Sequence, residues 1–421
     1  MRALISRSTV RGKAEAPSSK SYTLRGLMCA ALARGLSEIE RPLYADDSEA
    51  GRDVLQKIGV GITEKGGSWI VSGGNFREPD SELYCRYSAG TLRFMTAICS
   101  LVPGICRLTA GPSLSRRPIL PLLTALRKLG VTCNSEGSKA LVTVEGGRLQ
   151  DGETVLPGDV SSQLVSALLL IAPLAEKGIS LVLTPPVESK PYIRMTIGCM
   201  KHFGVKVEHS PDFIHYTAKP QTYKPAKYRI EGDWSSAAYL LALGAVAGEV
   251  EVSNLSRSSR QADRQIWILL NQMGADIHAG HNSVRARKST LKAVKADLSD
   301  CIDLLPTMAV LAAAAQGVSE LTGISRARLK ESDRVAAVKE GLKRMGISVR
   351  EEKDTMFITG AVPQGAVIDS KGDHRIAMAF SILGVLAGDT IIEGAGCVGK
   401  TYPEFWNVLK SLGGEVALDG Q

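Results

Sequence analysis

Several segments of this chain place cationic side chains beside hydroxyl groups at spacings that suit the binding of an anion. In APSSKSYTLR (16–25), Lys20 and Ser21 open a predicted helix that runs to about Gly35, with a serine at 18 or 19 as its cap. Ser21 and Arg25 lie four residues apart and therefore on one helical face. Together with the free N–H groups of a helix start, these side chains form a potential anion site. An ordinary capped helix with a solvated basic face is the alternative interpretation.

Two further segments offer hydroxyl groups near helix starts. Ser161, Ser162 and Gln163 follow Gly158-Asp159 and precede an apolar helical stretch, so their side chains can hold phosphate oxygens. Simple N-capping is the alternative. The segment SKPYI (189–193) adds another hydroxyl and a tyrosine just before a predicted helix.

A charged segment, RLKESDR (328–334), is suited to acid–base chemistry. Its spacing predicts that Lys330 and Arg334 share a helical face, with Glu331 three residues before Arg334. A carboxylate held among cations can act as a general acid or base on an anionic substrate. A solvated charged face is the competing interpretation. Further along the chain, DHR (373–375) begins an apolar helix, and Lys400 follows the glycine-rich GAGCVG.

The elements that must position these groups follow a sixfold repeat. A five-residue phrase, aliphatic–x–x–apolar–Gly, recurs every 67–74 residues and spans the whole chain. Each phrase predicts the last turn of an amphipathic helix with glycine as its left-handed cap, followed by a strand. Solenoid repeats usually have about 20–50 residues, so units of this length favour closed α/β modules. The six phrases are LQKIG (55–59), LRKLG (126–130), MKHFG (200–204), LNQMG (270–274), LKRMG (342–346) and LKSLG (409–413).

A second repeated phrase divides the chain into halves. GDVSSQ (158–163) and GDWSSA (232–237) each precede an apolar helix, and the stretch KPQTYKPAK (219–227) between them has the composition of a linker. Three repeat units on each side predict two similar domains. We expect the active site in the cleft between them.

Composition excludes several classes of protein. The 421 residues are 44% hydrophobic and 22% charged, as in ordinary globular proteins, which rules out disorder as the dominant state. No apolar run approaches the roughly 18 residues of a membrane span. The N-terminus is basic but lacks the apolar core of a secretion signal, so we expect a cytoplasmic protein without a membrane partner.

Neither cysteine nor charge patterning indicates a metal or a single class of partner. The eight cysteines contain no CxxC pair and lie mostly among apolar neighbours, which favours reduced, buried thiols. The six histidines show no ligand spacing, and we expect no metal. The formal net charge of +8 is compatible with nucleic-acid binding or with a pocket for a small, multiply anionic substrate. Composition alone does not separate these two interpretations.

Eight motifs of this chain occur in the order typical of the 5-enolpyruvylshikimate-3-phosphate synthase family. They are SSKSYTLR, SAGT followed by LR, the Arg-Pro of SRRPILPLLTALRKLG, SSQ, SKPYI, RLKESDR, GDHRIAM and KTYPEF, and they extend over essentially the whole chain. The resemblance implies an α/β fold of two similar domains, each with three βαβαββ units in an inside-out α/β barrel. It also places the first dozen or so residues in the second domain. Together with the division at the linker-like stretch, this predicts a first domain at 15–226 and a second at 1–14 and 227–421.

The resemblance also implies a reaction. Family members transfer the enolpyruvyl group of phosphoenolpyruvate to the 5-hydroxyl of shikimate 3-phosphate and release phosphate, without a cofactor or metal. The step belongs to chorismate and aromatic amino acid biosynthesis, and glyphosate is the family's inhibitor. Both substrates are anionic, which accounts for the basic excess without nucleic acid. We expect a monomer.

The family's functional positions map onto this chain residue by residue. Asp303, Glu331 and Lys20 resemble its catalytic residues, with Asp303 as the base on the hydroxyl and the other two as candidate donors of the proton to C3. Nine residues of this chain resemble the family's contacts to shikimate 3-phosphate: Ser21, Arg25, Ser161, Ser162, Gln163, Ser189, Tyr192, Asp303 and Lys330. Seven residues resemble the family's contacts to phosphoenolpyruvate: Lys20, Gly90, Arg117, Gln163, Arg334, Arg375 and Lys400.

Two departures from the family pattern affect the expected site. The usual Asn-Ala-Gly-Thr phrase is Ser88-Ala-Gly-Thr91 here, and one residue is missing before Arg93. Arg326 stands where many members have an asparagine that contacts shikimate 3-phosphate, so we expect that contact to be lost or replaced by an ionic one.

Two alternative functions differ in their signatures. The sister enolpyruvyl transferase that acts on UDP-N-acetylglucosamine carries a catalytic cysteine in a flexible loop, and the corresponding GPSLSRRP (111–118) has none. A basic repeat protein that binds nucleic acid would instead show strongly salt-dependent binding to DNA.

Overall fold

The computed structural model describes residues 1–115, 117–136 and 141–420, and they separate into two compact units. The N-terminal unit is Ser18–Ile230, and the C-terminal unit is Met1–Pro17 with Glu231–Gln421. The described helices are α1 (Lys20–Leu32), α2 (Asp46–Lys57), α3 (Ala89–Ile98), α4 (Leu120–Lys128), α5 (Ser162–Ile171), α6 (Lys190–His202), α7 (Trp234–Ala247), α8 (Gln265–Gln272), α9 (Leu305–Ala313), α10 (Arg334–Arg344), α11 (His374–Ala387) and α12 (Phe405–Ser411).

Short strands alternate with these helices. The described strands are β1 (Arg2–Ile5), β2 (Val10–Glu15), β3 (Gly35–Glu40), β4 (Gly61–Lys65), β5 (Ser68–Gly73), β6 (Leu83–Tyr84), β7 (Gly104–Thr109), β8 (Thr132–Glu136), β9 (Leu141–Gly146), β10 (Gly152–Pro157), β11 (Ile179–Thr184), β12 (Glu208–His209), β13 (His215–Ala218), β14 (Lys227–Arg229), β15 (Gly248–Ser253), β16 (Asp276–Ala279), β17 (Ser283–Arg287), β18 (Lys295–Asp297), β19 (Val318–Thr322), β20 (Ser348–Glu352), β21 (Thr355–Thr359), β22 (Val367–Asp369), β23 (Thr390–Glu393) and β24 (Val416–Asp419).

All the described strands belong to six four-stranded sheets with one pairing pattern. In each sheet a parallel pair is followed by two antiparallel pairs, as in β10-β11-β13-β12 of the N-terminal unit and β18-β19-β21-β20 of the C-terminal unit. The parallel pair requires a crossover, which a helix provides, and the antiparallel pair closes by a short turn. The predicted α/β fold of βαβαββ units is therefore confirmed, with three sheets in each unit.

The chain crosses between units twice, and two strands lie apart from their sequence neighbours. β2 directly precedes α1 but pairs in parallel with β15 of the C-terminal unit. β14 directly precedes α7 but pairs in parallel with β3 of the N-terminal unit. The linker-like stretch 219–227 is also packed on the N-terminal unit, because Tyr223 is buried there and donates a hydrogen bond to the Leu170 carbonyl (2.8 Å). The crossing lies beyond it, between residues 230 and 231.

The six repeated phrases end the second helix of each repeat, as their pattern predicts. Helices α2, α4, α6, α8, α10 and α12 each end two residues before the phrase glycine. Those six glycines have φ between 76° and 99°, the left-handed region that glycine adopts without a Cβ penalty. The repeat therefore marks real boundaries of structure.

The first helix of each repeat is an interior element. Every residue of α3 and α9 is buried, and α1, α5, α7 and α11 are nearly as enclosed. Such helices are packed on all sides, mostly by apolar side chains, which holds their ends in place. Helix α1 ends at Leu32, before the predicted limit near Gly35, because Gly35 already begins β3. No helix among the described residues is long and apolar enough to cross a membrane.

Candidate active site

In the N-terminal unit, the predicted anion-binding residues lie at the starts of interior helices. Lys20 is the first residue of α1, and Gly90 is the second residue of α3. The N-cap Ser161 of α5 accepts a hydrogen bond from the Gln163 amide (3.3 Å). The N-terminal N–H groups and the helix dipole give each of these positions a partial positive charge. The prediction that 161–163 begin a helix is confirmed.

The Lys20 ammonium is held by a carboxylate. Its Nζ lies 3.0 Å from Oδ2 of Asp47, which is buried in the first turn of α2. Thr91 of α3 donates to the Asp47 carbonyl (3.3 Å) and to Ser88 Oγ (2.9 Å), and so ties α3 to α2. The contact fixes the direction of the lysine side chain.

Arg25 is a buried cation that is held by neutral groups. Its Nε donates to Thr196 Oγ1 (2.8 Å), and Nη1 donates to the Ser21 carbonyl (3.0 Å). Nη2 donates to the Tyr192 carbonyl (3.3 Å), and Thr196 in turn donates to Ser166 Oγ (2.7 Å). Among the described residues no carboxylate forms an ion pair with Arg25, and burial lowers the pKa of its guanidinium. Its charge is therefore available to an anionic ligand.

Gln163 is oriented by a residue that the sequence analysis did not place in the site. Arg93 Nη1 donates to Gln163 Oε1 (2.7 Å) and to Ser161 Oγ (3.2 Å). Arg93 Nη2 donates to the Pro118 carbonyl (3.0 Å) and so ties the segment after Arg117 to the same group. Because Arg93 binds the amide oxygen, the amide nitrogen of Gln163 lies on the side away from that contact. A Cβ placed on Gly90 would lie 3.8 Å from this nitrogen.

The remaining predicted residues of this unit lie on α5, α6 and the segment before α4. Ser162 is buried at the start of α5, and Arg117 is half-buried beside Pro118. Ser189 is the N-cap of α6 with φ of 56°, and its carbonyl accepts a hydrogen bond from the Tyr192 amide (3.1 Å). Tyr192 therefore lies inside the first turn of α6, not before it as predicted. Position 116 of the GPSLSRRP segment lies outside the described residues.

In the C-terminal unit, Arg334 is the centre of a cluster of charges. It is the first residue of α10, and its side chain is 1% exposed. Nε contacts Asp373 Oδ2 (2.8 Å), Nη1 contacts Asp303 Oδ1 (2.8 Å) and Nη2 contacts Glu331 Oε2 (2.5 Å). Burial opposes the charge, but these three carboxylates raise the pKa of Arg334 above its ordinary value. We refer to these four residues with Lys330, Arg375 and Lys400 as the charge cluster.

Asp303 is the carboxylate that the most cations share. It lies in the turn before α9, and its oxygens contact Arg334, Lys330 (3.1 Å from Nζ) and Arg375 (3.3 Å from Nη2). Burial alone would raise the pKa of Asp303. The three cations outweigh that effect and hold the pKa well below its usual range.

Arg375 and Lys400 complete the charge cluster from two further elements. Arg375 lies in the first turn of α11, where its backbone amide donates to the N-cap Asp373 (2.9 Å). This confirms that 373–375 begin a helix. Lys400 ends a short 3₁₀ helix, and its Nζ lies 3.7 Å from Glu331 Oε1.

One geometric prediction for this unit is wrong. Lys330 and Glu331 precede α10, so Lys330 and Arg334 share no helical face. They meet because both side chains contact Asp303. The N-cap Asp333, which accepts from the Ala336 amide, ends the preceding irregular segment and starts the helix one turn later than the charge pattern suggested. Arg326, in the 3₁₀ turn before Lys330, donates to the Ser299 carbonyl (2.5 Å).

Sequence reasoning missed the residues that orient the predicted ones. Asp47, Arg93 and Thr196 contact Lys20, Gln163 and Arg25 respectively, yet no local pattern distinguishes them from structural residues. Asp263, near Arg375, was also missed. One signal was present, because the repeated phrases 158–163 and 232–237 align Ser161 with Ser235, whose hydroxyl contacts Asp263.

Comparison with known proteins gives consistent results for the whole chain and its fold. The family model described as EPSP synthase (3-phosphoshikimate 1-carboxyvinyltransferase) matches residues 5–409. A protein named 3-phosphoshikimate 1-carboxyvinyltransferase from Dehalococcoides mccartyi is 48% identical over 421 residues, which cover all of both chains. One of the same name from Methanothermobacter thermautotrophicus is 40% identical over 410 residues, 96% of each chain.

Solved structures agree. An EPSP synthase from Acinetobacter baumannii superposes with a TM-score of 0.84 at 26% identity, covering 99% of this chain and 100% of that one. The enolpyruvyl transferase NikO from Streptomyces tendae shares the fold, with a TM-score of 0.79 at 17% identity over 99% of this chain and 98% of that one.

Proposed function

This chain belongs to the EPSP synthase family, and we propose that its charge cluster and the helix-start residues of its N-terminal unit together catalyse enolpyruvyl transfer from phosphoenolpyruvate to the 5-hydroxyl of shikimate 3-phosphate. Phosphate is the second product. The protein is thus a transferase of the shikimate pathway, which leads to chorismate and the aromatic amino acids.

The observation that carries this proposal is the environment of Asp303. It is a buried carboxylate in contact with Lys330, Arg334 and Arg375, so one potential base stands among cations that attract anionic substrates. A purely structural ion pair would need one cation, whereas this cluster holds several whose charge a phosphate or carboxylate can share.

Shikimate 3-phosphate is assigned to residues of both units. In the N-terminal unit, the hydroxyl-bearing helix starts and the uncompensated charge of Arg25 support binding of its phosphate and carboxylate. In the C-terminal unit, Asp303 and Lys330 are assigned to its ring hydroxyls. The full set is Ser21, Arg25, Ser161, Ser162, Gln163, Ser189, Tyr192, Asp303 and Lys330.

Phosphoenolpyruvate is assigned to the cations that flank these groups. The two charges of Arg334 and Arg375 suit its carboxylate, and Lys20 with the amide of Gln163 suits its phosphate. A side chain at position 90 would approach the amide nitrogen of Gln163, so glycine at this position keeps the space beside that nitrogen open. Arg117 and Lys400 complete the set. Since neither unit holds all of these residues, we propose that both units contribute ligands to the substrates.

The reaction begins with addition. The 5-hydroxyl oxygen attacks C2 of phosphoenolpyruvate while Asp303 takes the hydroxyl proton. C3 receives a proton and becomes a methyl group, and C2 then bears both the new ether oxygen and the phosphate. We assign the C3 proton donor to Lys20, whose ammonium is held by Asp47.

Elimination completes the reaction. The bond between C2 and the phosphate oxygen breaks, phosphate departs with the electron pair, and C3 loses a proton to restore the double bond. We assign that step to Glu331, because its contacts with Arg334 and Lys400 hold its carboxylate beside the cations assigned to phosphoenolpyruvate. The cations of the charge cluster stabilise the negative charge that develops on the departing phosphate.

The low pKa of Asp303 constrains this mechanism. A carboxylate whose charge three cations share is a weak base. When the anionic groups of the substrates bind Arg334, Arg375 and Lys330, those cations share their charge and hold Asp303 less strongly. Substrate binding therefore raises the basicity of Asp303, so the base becomes effective only in the loaded site.

The sister activity on UDP-N-acetylglucosamine is not favoured. The stretch 111–118 lacks the cysteine of that group, and the hydroxyl-rich starts of α5 and α6 suit a compact phosphorylated sugar acid. We further propose that the enzyme acts in the cytoplasm as a monomer, without nucleic acid as a partner.

The proposed function is tested by phosphate release with each acceptor. Purified protein with phosphoenolpyruvate and shikimate 3-phosphate is expected to release one phosphate for each enolpyruvyl ether that forms. No release is expected with UDP-N-acetylglucosamine. Phosphate release that occurs with UDP-N-acetylglucosamine as the acceptor, but not with shikimate 3-phosphate, would overturn the assignment.

A further inference from the structure

Asp263 is a buried carboxyl group beside the charge cluster that has no role in the mechanism above. It lies in the 3₁₀ turn Ala262–Arg264 before α8 and is 1% exposed. Its Oδ2 accepts a hydrogen bond from Ser235 Oγ (2.5 Å) and lies 3.9 Å from Arg375 Nη1. Among the described residues, its Oδ1 has no hydrogen-bond partner. A buried carboxyl group with one oxygen unsatisfied is costly, so its position calls for a physical explanation.

Arg375 stands between two carboxyl groups. Its Nη2 lies 3.3 Å from Asp303 Oδ2, and its Nη1 faces Asp263 and also lies 3.4 Å from the hydroxyl of Tyr239. Asp303 also contacts two further cations, Lys330 and Arg334. Among the ion pairs of the described residues, Asp263 contacts the charge cluster only at Nη1 of Arg375. The charge state of Asp263 thus acts on one cation.

The groups that face Asp263 come from three packed elements. Arg375 on α11 favours its ionised form, while Asp303 in the turn before α9 and Asp233 at the N-cap of α7 disfavour it. Cys301, in the same segment as Asp303, also lies within electrostatic range. Burial is the largest effect and raises the pKa of Asp263 to about 7, with Arg375 and the Ser235 hydroxyl opposing it. The carboxyl group therefore changes charge near neutral pH.

We propose that Asp263 is a positioning residue for phosphoenolpyruvate, whose carboxyl group determines how much of the Arg375 charge is available to that substrate. When Asp263 is protonated, Arg375 presents its charge to the substrate carboxylate. When Asp263 is ionised, it competes for the Nη1 side of the guanidinium. This inference rests on the proposed function, in which Arg375 binds phosphoenolpyruvate.

Proton binding and substrate binding are consequently linked. Each favours the other, because both act on the same guanidinium, and linkage is reciprocal. Ser235 adjusts the balance, since its hydroxyl donates to the ionised carboxylate and favours it. Shikimate 3-phosphate affinity does not depend on Asp263 in this scheme, because Arg375 is not among its ligands.

The test compares wild type with Asp263→Asn between pH 6 and 8.5. The KM for phosphoenolpyruvate is measured at saturating shikimate 3-phosphate, and calorimetry gives its affinity without turnover. The ratio of wild-type to variant KM removes the titration of the substrate itself. We expect a ratio near one at pH 6 that rises to about fivefold at pH 8.5, within the usual range of coupling between sites. Asp276→Asn, a half-exposed strand aspartate of the same unit, is expected to give a flat ratio.

A second variant separates proton linkage from packing. Ser235→Ala keeps the carboxyl group but removes the hydrogen bond, so the rise in KM is expected at higher pH than in wild type. A flat ratio for Asp263→Asn, or an unshifted rise in Ser235→Ala, overturns the inference. Absence of phosphate release by wild type overturns the proposed function instead, and the calorimetric affinities then decide whether Asp263 affects phosphoenolpyruvate binding.

Discussion

Arg334 and Asp303 form a buried hydrogen-bonded ion pair, with Nη1 2.8 Å from Oδ1, at the centre of the charge cluster. Two more carboxylates, Glu331 and Asp373, hold the other nitrogens of the same guanidinium. The cation assigned to substrate binding is therefore already oriented by the protein's own anions. Such preorganisation lowers the reorganisation cost at the moment of reaction, although the substrate must share Arg334 with these carboxylates.

Thr196→Val should weaken shikimate 3-phosphate binding. The threonine hydroxyl accepts from Arg25 Nε inside a closed environment, and hydrogen bonds to charged groups contribute about 1.5–3 kcal/mol. We expect the dissociation constant to rise about tenfold or more in calorimetry, with little change for phosphoenolpyruvate. Thr96→Val is the matched control, because Thr96 is equally buried and, within the described part of the chain, its hydroxyl donates only to the Leu92 carbonyl of its own helix. Equal affinities in the two variants would contradict the role of Thr196.

Glyphosate should inhibit competitively with phosphoenolpyruvate. Gly90 lies at the start of α3, and the space beside it faces the Gln163 amide. Gly90→Ala places a methyl group in that space and 3.1 Å from Leu24, so both the inhibition constant and the KM for phosphoenolpyruvate are expected to rise. Initial-rate kinetics at several concentrations of both compounds provide the measurement. A noncompetitive pattern would show that Gly90 and Gln163 are assigned to the wrong subsite.

The stability of Asp263→Asn should exceed that of wild type increasingly as pH rises. The folded pKa of Asp263, about 7, lies above its unfolded value near 3.9, so the folded state holds the proton more tightly. That stabilising contribution is complete below pH 4 and is lost as pH rises through 7. Between pH 5 and 8 we expect the free energy of unfolding of wild type to fall relative to that of Asp263→Asn by about 3 kcal/mol at most. The difference between the urea midpoints of the two proteins at each pH provides the measurement. A difference independent of pH would mean that Asp263 is ionised throughout.

Shikimate 3-phosphate should draw the two units together. Its proposed ligands are divided, with Arg25 in the N-terminal unit and Lys330 in the C-terminal unit. Interactions available only when both contact one ligand favour a closed state. Small-angle scattering is expected to show a smaller radius of gyration at saturation, and an unchanged radius would oppose closure.

The repeat was sufficient to predict two similar domains of α/β modules, because the same local signals occur six times along the chain. Six glycines after six helix ends, and the serine that caps the start of α5, are local patterns that capping physics explains. The exchange of β2 and β14 between units was beyond the repeat, since strand pairing depends on distant partners. For the same reason Asp47, Thr196 and Asp263 were missed, because each orients a residue that is remote in sequence.

The position of Lys330 shows a second limit. Charge spacing predicted a helical face, but the N-cap at Asp333 begins the helix later, and Asp303 joins the two cations instead. Helix periodicity describes neighbours within one element. It does not describe side chains that meet through a third residue from another element.

Turnover by Asp303→Asn, measured with substrate affinity and melting temperature on one preparation, tests the central claim most directly. We expect kcat to fall by about 10²–10⁴, because asparagine cannot take the hydroxyl proton. Shikimate 3-phosphate affinity should stay within about tenfold, roughly 1.4 kcal/mol, since asparagine still bonds the ring hydroxyls. The melting temperature is expected to fall as three cations lose a counter-charge, with Asp276→Asn as the control for an aspartate change elsewhere. A folded variant that binds both substrates and turns over at the wild-type rate would contradict the account.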